Sequence, residues 1–288
     1  MSHESGAAAH DEVLTDQQVK PYLSHSQLDL FSKCGEAYRR RYLEKQIIPP
    51  GVALLRGSAV HGAAEVNHRQ KIETGQDLPL QDLVDAAATT FDQRIATDGY
   101  SLAPDEQSTG AKIVLGKAKD SAVRLTGLYA RNVAPNIEPE LVEARVRVVL
   151  PESPLDLVGV IDVSTRDSRV KDLKTAARAK TQQDADDSLQ LTWYDLTYRA
   201  LKKVPPAGLD LEVLVDTATP KHQRLGTTRT MRDLEVLVAR VNATAAAIKA
   251  GSFPPAQLGA WWCSNKFCGY FRSGCPFVNA DRRAAAEI

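Results

Sequence analysis

The chain has 288 residues, and its 36 Lys and Arg stand against 36 Asp and Glu for a formal net charge of zero. That balance excludes a global field drawing the protein toward nucleic acid or an anionic membrane, so any DNA contact has to be local. No apolar run approaches the roughly 20 residues that span a bilayer, and four cysteines are too sparse for a disulfide-built secreted scaffold; a soluble, cytoplasmic protein with one sizeable core is expected.

Residues 1–21 are rich in Ala, Ser, His, Asp and Gln, offer little to pack, and read as a mobile tail. Ser24 or Ser26 then caps a predicted helix on which Leu28, Leu30, Phe31, Cys34, Tyr38 and Tyr42 recur at helical spacing, with Arg39, Arg40 and Arg41 on the same stretch. Pro49, Pro50 and Gly51 break the chain. A second helix is predicted from Gly57 to Lys71, placing His61 and Glu65 one turn apart.

Residues from about 80 to 132 are Ala-rich and amphipathic, predicting two or three helices interrupted near Ala103-Pro104 as an insertion or lid. The period then changes to two, because Val142, Ala144, Val146 and Val148 alternate with Glu143, Arg145 and Arg147 as in a half-buried strand. Strands are expected over Leu155 to Val163 and Arg169 to Lys174. A helix from Ser188 to Lys202, a strand from Leu209 to Val215, a hairpin partner near Arg224 to Met231 and a long helix from about Arg232 to Lys249 complete the nuclear part of the chain. Residues 277–288 read as a C-terminal tail.

The chemistry concentrates in Gly159-Val160-Ile161-Asp162 and Val170-Lys171-Asp172-Leu173-Lys174. Adjacent strands would hold Asp162 and Asp172 at nearly the same height, with Lys174 two positions beyond Asp172 and so on the same face. Two carboxylates suit a hard cation such as Mg²⁺ or Mn²⁺, which polarises a phosphate oxygen and acidifies water, while an ammonium beside them orients that water or offsets developing charge. An isolated Asp-x-Lys is common and usually marks only a strand end; the surrounding order gives this one its weight.

Gly57 to His61, Gly159 to Asp162, Asp172 to Lys174 and Gln190-Leu191-Thr192-Trp193-Tyr194 resemble, in sequence, the successive motifs of RecB-like nucleases of the PD-(D/E)XK superfamily. The resemblance spans residues 22–276 and implies an α/β fold of restriction-endonuclease-like architecture, with a mixed central sheet flanked by helices, a helical insertion at about 80–132, a nuclease core at about 138–230 and a C-terminal cysteine clasp. It implies that His61, Asp162 and Asp172 hold Mg²⁺ or Mn²⁺ with help from the Leu173 carbonyl, that Lys174 is the catalytic lysine, and that Gln190 and Tyr194 lie one helical turn apart beside the scissile phosphate or the strand.

Cys263, Cys268 and Cys275 resemble the C-terminal triplet of members that carry a 4Fe-4S cluster, and Cys34 occupies the place of the distant fourth ligand. Four thiolates also make a structural zinc site, so zinc stays open as the alternative. Trp261, Trp262 and Tyr270 beside the triplet shield such a site or stack on bases. The likeness runs toward stand-alone CRISPR-associated exonucleases and their phage-encoded relatives. It implies hydrolysis of single-stranded DNA ends entering past Arg39, Arg40 and Arg41, in recombination, repair or CRISPR-type processing. No Gly-x-x-x-x-Gly-Lys-Ser/Thr motif occurs, so a helicase, or a recombination or integration factor, would be a separate partner. The alternative function is a non-catalytic DNA-binding or assembly factor with a nuclease fold and a zinc staple.

Overall fold

The computed structural model describes residues 21–151 and 153–278; both predicted tails lie almost wholly outside them. Among the described residues six strands form one mixed sheet. Its centre is β3 (Asp156–Thr165), which pairs antiparallel along its length with β2 (Pro139–Val148). The opposite edge of β3 is divided between two strands. β1 (Tyr22–Ser24) runs parallel to residues 156–158, and β4 (Arg169–Ala176) pairs antiparallel only at Val163 with Lys171 and Ser164 with Val170. β5 (Gly208–Val215) follows parallel to β4, and β6 (Lys221–Thr227) closes the edge antiparallel to β5.

On one face α3 (Val52–Thr74), α4 (Leu80–Asp98) and α6 (Ala111–Asn132) pack against Val163, Leu173 and Leu214. The short α5 (Pro104–Thr109) begins at the Pro104 expected to interrupt this region. These helices share one core cluster with the sheet, so Leu83, Phe91, Leu125 and Tyr129 belong to the interior of the same body as the strands. On the other face, α7 (Gln182–Asp186) and α8 (Leu189–Lys202) make the crossover between the parallel strands β4 and β5, and Leu191, Tyr194 and Tyr198 cover Ile161, Val170 and Val213. The Ser188 hydroxyl accepts from the Leu191 amide and so caps α8 one residue before the helix begins.

The glycine before Asp162 has a packing reason. A Cβ on Gly159 would stand 2.6 Å from Cγ2 of Thr197 and 3.0 Å from the Trp193 ring, both on α8. Trp193 is fully buried and its Nε1 donates to the Val158 carbonyl at 3.2 Å, so α8 lies almost on the backbone of β3. Replacing Gly159 by Ala should therefore cost about 1–3 kcal/mol, the range for overpacking a filled interior. Thermal denaturation would register it as a lowered midpoint, and an unchanged midpoint would mean that α8 yields freely.

The N-terminal helix is shorter than its apolar spacing predicts. α1 (His25–Lys33), closed at its start by the Ser24–Gln27 capping box, stops at Cys34, whose backbone is extended. α2 (Gly35–Tyr38) and a π-helical turn over Arg39–Leu43 follow. The break has a tertiary cause: the Gly35 amide donates to the Pro254 carbonyl at 2.7 Å, and the Pro254 segment lies where any side chain on Gly35 would be. That segment follows α9 (Met231–Lys249), and with residues up to 278 it runs in turns across α1 and α2. Arg40 is buried, pairs with the buried Glu36 at 2.8 Å, and donates to the Gly274 carbonyl at 2.9 Å. Arg39 is likewise committed to Glu36 and Glu44. Two of the three arginines expected to line a DNA channel thus fasten the C-terminal segment and its supporting turn, and among the described residues Arg41 alone of them has no ion-pair partner.

On β5, Asp210 is fully buried and accepts from Arg169, Lys171 and Arg224, while Lys171 also donates to Glu212 at 2.8 Å. Burial alone would raise the Asp210 carboxyl, but these donors and the Lys171 charge hold it well below the usual carboxylate range. A depressed folded-state value stabilises the fold above the unfolded value of about 3.9, and that contribution is lost as pH falls below it. Chemical denaturation at pH 5 and pH 3 should find wild type losing stability on acidification more steeply than Asp210→Asn. Equal slopes would remove Asp210 from the acid response.

Candidate active site

The β3–β4 ladder ends at Val163 and Lys171, and the next residue outward on each strand is Asp162 and Asp172. The two carboxylates therefore face one another where the strands part, with β3 residues 159–162 left without a strand on that side before β1 begins at Val158. They are near enough for the Asp162 charge to act on the Asp172 carboxyl. Lys174, two positions along β4, places Nζ 2.9 Å from Asp172 Oδ1.

Two helices close over this fork. From α8, Tyr194 donates its hydroxyl to Asp162 Oδ1 at 2.6 Å, and Gln190, one turn earlier, donates to the Tyr194 hydroxyl at 2.7 Å and toward Asp172 Oδ1 at 3.4 Å. From α3, His61 brings Nδ1 to 3.6 Å from Asp162 Oδ2 and hydrogen-bonds the backbone of Leu173. The structure thus gathers His61, Asp162, Asp172, Leu173, Lys174, Gln190 and Tyr194, every residue that the sequence motifs select around the carboxylates. Glu65, one turn beyond His61, pairs with Arg69 and lines the same cleft.

Glu143 is a further acid that sequence reasoning passed over. Val142 lies opposite Val163 and Ala144 opposite Ile161, which sets Glu143 opposite Asp162. Three carboxylates then stand in a row across β2, β3 and β4. The Glu143 backbone is left-handed at φ 49°, an arrangement unfavourable for a residue with a Cβ and frequent where a site demands a particular side-chain direction. In the alternating strand pattern Glu143 looks like an ordinary solvent-facing position, as does Glu140 on the same strand, and the sequence carries no signal that separates the two.

The electrostatics follow from enclosing these groups. Burial drives the fully enclosed Asp172 carboxyl above the ordinary carboxylate range; the Lys174 charge opposes this and the Asp162 charge adds to it. Glu143 is pushed up to about 7, by burial first and then by the charges of Asp162 and Glu65. Burial would lower the Lys174 ammonium, but Asp172 and Asp162 hold it above its usual value, so it stays charged. Burial lowers His61, leaving a neutral imidazole, and raises Tyr194, which remains a phenol donating to Asp162.

One oxygen on each carboxylate, Oδ2 of Asp162 and Oδ2 of Asp172, is buried without a hydrogen-bond partner. Orphaned carboxylate oxygens beside a neutral imidazole and a backbone carbonyl match the donor set of a divalent cation, whose charge would offset the excess of acid over Lys174. Among the described residues no group of three or more His, Cys, Asp or Glu is drawn together into a finished metal site. Tyr194 takes the other oxygen of Asp162, and Gln190 and Lys174 approach the other oxygen of Asp172.

Three of the cysteines border one apolar cluster: Cys275 is buried in it with Ala37, Tyr270 and Phe271, and Cys34 and Cys268 pack against it, but among the described residues they form no group able to hold a metal. Burial raises the Cys268 thiol, and Cys263 and Cys34 are near enough to raise it further. Tyr270 is buried and donates to the Gln46 carbonyl at 2.6 Å, and Trp262 donates to the Lys33 carbonyl, so both serve the junction; Trp261 stays exposed against Phe267.

A mixed sheet that parts to present Asp, Asp and an Asp-x-Lys lysine beneath a Gln-x-x-x-Tyr helix defines a nuclease fold. The chain belongs to the PD-(D/E)XK nuclease superfamily, whose sequence model matches residues 22–279. Among solved structures it is similar to a candidate exonuclease from Eubacterium rectale, at 13% identity with a TM-score of 0.57 and 94% of each chain covered, a likeness of fold. The structure of SSO0001 aligns at 14% identity over 85% of this chain and 96% of that one, but its TM-score of 0.31 carries no argument. No curated protein matches the sequence. Among the described residues no helix is long and apolar enough to cross a membrane.

Proposed function

We propose that the chain is a metal-dependent DNA exonuclease hydrolysing phosphodiester bonds at single-stranded ends. The observation that carries this is the pair Asp162 and Asp172, facing across the opened ladder with one orphaned oxygen each and the Lys174 ammonium 2.9 Å from the second carboxylate. A bound Mg²⁺ or Mn²⁺ supplies Lewis acidity toward a phosphate oxygen and lowers the pKa of a coordinated water. His61, Asp162, Asp172 and the Leu173 carbonyl would hold it, with Glu143 available from the third strand.

The chain's own groups then divide the work. Lys174 keeps a positive charge beside the carboxylates, where it orients the attacking water and offsets negative charge as phosphorus becomes five-coordinate. Tyr194 fixes the Asp162 carboxylate through one oxygen and leaves the other free, and Gln190 holds Tyr194 in that role. The four cysteines are read as the ligands of a 4Fe-4S cluster, with zinc as the competing occupant; the nearness of Cys34 and Cys263 to Cys268 is what favours a shared site of either kind.

The deciding assay incubates anaerobically purified protein with 5′-labelled and 3′-labelled single-stranded and duplex DNA in Mg²⁺, Mn²⁺ or EDTA. Progressive shortening of single strands in metal and none in EDTA is expected. Intact DNA in every metal would end the exonuclease reading, and internal cuts would replace it with an endonuclease.

A further inference from the structure

Two clefts lead away from the carboxylate row, and Glu143 and Asp162 lie in the walls of both. One, of about 820 Å³, passes His61 and Glu65 between α3 and α4; it has no Phe, Tyr or Trp in its lining, and its Arg94 is paired with Asp98 at 3.1 Å. The other, of about 930 Å³, runs between β1, the turn after α2 and strand β2, and reaches Gln190 and Tyr194 at its inner end.

The second cleft is built differently. Tyr22 is 41% exposed on its wall, and the Arg145 guanidinium sits 5.4 Å from the centre of that ring. Across from it Tyr42 is half-buried, with the Arg41 guanidinium 5.8 Å from its ring centre. Lys45, left-handed at φ 58°, lies in the same lining. Among the described residues Arg41, Lys45 and Arg145 have no carboxylate within ion-pair distance, in contrast to Arg39 and Arg40 beside them. Aromatic faces ordered by stacked guanidinium groups, together with uncommitted cations, form the combination that binds unpaired nucleic acid: rings accept bases of any sequence and cations follow the phosphates.

We propose that this aromatic cleft is the track for the unpaired strand, with Tyr22 and Tyr42 stacking on bases and Arg145 and Lys45 holding the phosphates that lead to the Asp162–Asp172 fork. The inference rests on the exonuclease reading and deepens it. In a duplex the base faces are already stacked on one another, so a track made of ring surfaces favours single strands over paired ends.

The test measures binding by fluorescence anisotropy, using the full chain in EDTA so that no turnover intervenes. The probes are a short labelled oligothymidylate, an abasic strand of equal length and a blunt duplex. Tyr22→Leu and Tyr42→Leu should each weaken oligothymidylate binding about tenfold, the effect of losing one stacked base, and leave the abasic strand unchanged. Tyr22→Phe and Tyr42→Phe should bind like wild type, which separates stacking from any loss of fold. Arg145→Gln should weaken both single strands and flatten the salt dependence. The proposal is overturned if the Leu variants bind normally, if they lose the abasic strand equally, or if wild type binds duplex alone. Tyrosine-dependent strand binding without cleavage in metal would sink the exonuclease reading and leave the track standing; cleavage with tyrosine-independent binding would do the reverse.

Discussion

Lys174→Ala should reduce cleavage by about 10²–10³-fold while leaving DNA affinity in EDTA unchanged, the magnitude found when one preorganised charge-stabilising donor is removed. The reasoning is local. Lys174 packs against Asp172 at 2.9 Å and lies about a third exposed, so its removal opens no apolar cavity and breaks no contact in the sheet. What disappears is the ammonium that, among the described residues, stands beside the carboxylates, and with it the group proposed to meet charge developing at the scissile phosphate. Asp162→Asn and Asp172→Asn should differ from it in kind, because they remove the orphaned oxygens offered to a cation. Calorimetric titration with Mn²⁺ separates the cases: the lysine variant still takes up metal, and the asparagine variants do not. Turnover near wild type in Lys174→Ala would take the lysine out of the chemistry, whatever its geometry.

The second large effect concerns the thiols. Protein produced with ample iron under low oxygen should carry visible absorbance and about four irons per chain, the stoichiometry of the cluster. Cys34→Ser should lose both as completely as Cys268→Ser, because in the proposed reading the cluster needs all four thiolates, Cys34 from the N-terminal helix and three from the C-terminal segment. Thermal stability should fall in parallel, since the junction then depends on contacts such as Arg40 with Gly274 and Trp262 with Lys33 alone. Cleavage should decline through unfolding, with residual activity recovered on cooling. Colour retained in Cys34→Ser would exclude that cysteine as a ligand, and stoichiometric zinc without iron would hand the site to the alternative metal.

The carboxylate fork was legible because period-two alternation and a short connection leave little freedom in how β3 and β4 pair. Once Val163 opposes Lys171, Asp162 and Asp172 must meet. Gln190 and Tyr194 were readable for a similar reason, being four apart on a well-capped helix. Where the reading fell short, the cause was tertiary. Cys34 lies in a stretch whose apolar spacing is helical, yet a carbonyl from residue 254 claims the Gly35 amide and ends the helix. β1 has three residues and owes its existence to the exposed edge of β3, so it has no periodic signature. Arg39 and Arg40 read as a basic run because nothing in the sequence marks Glu36 as their partner, whereas burial of Glu36 turns the set into a structural knot. Glu143 depends on a backbone angle that no side-chain pattern encodes.

The divided edge of β3 also bears on how the molecule comes to exist. β2, β3, β4, β5 and β6 are joined by short connections or a single crossover and can assemble from neighbours in sequence, but β1 must wait for a strand that lies more than a hundred positions downstream. Contacts of such separation are entropically expensive to close and set the pace of folding. Seating of β1 is therefore expected late in the folding route, after the β3–β4 fork is formed. During that interval the chain holds its carboxylate fork with one wall of the aromatic cleft still missing, the wall that β1 brings to the centre of the sheet.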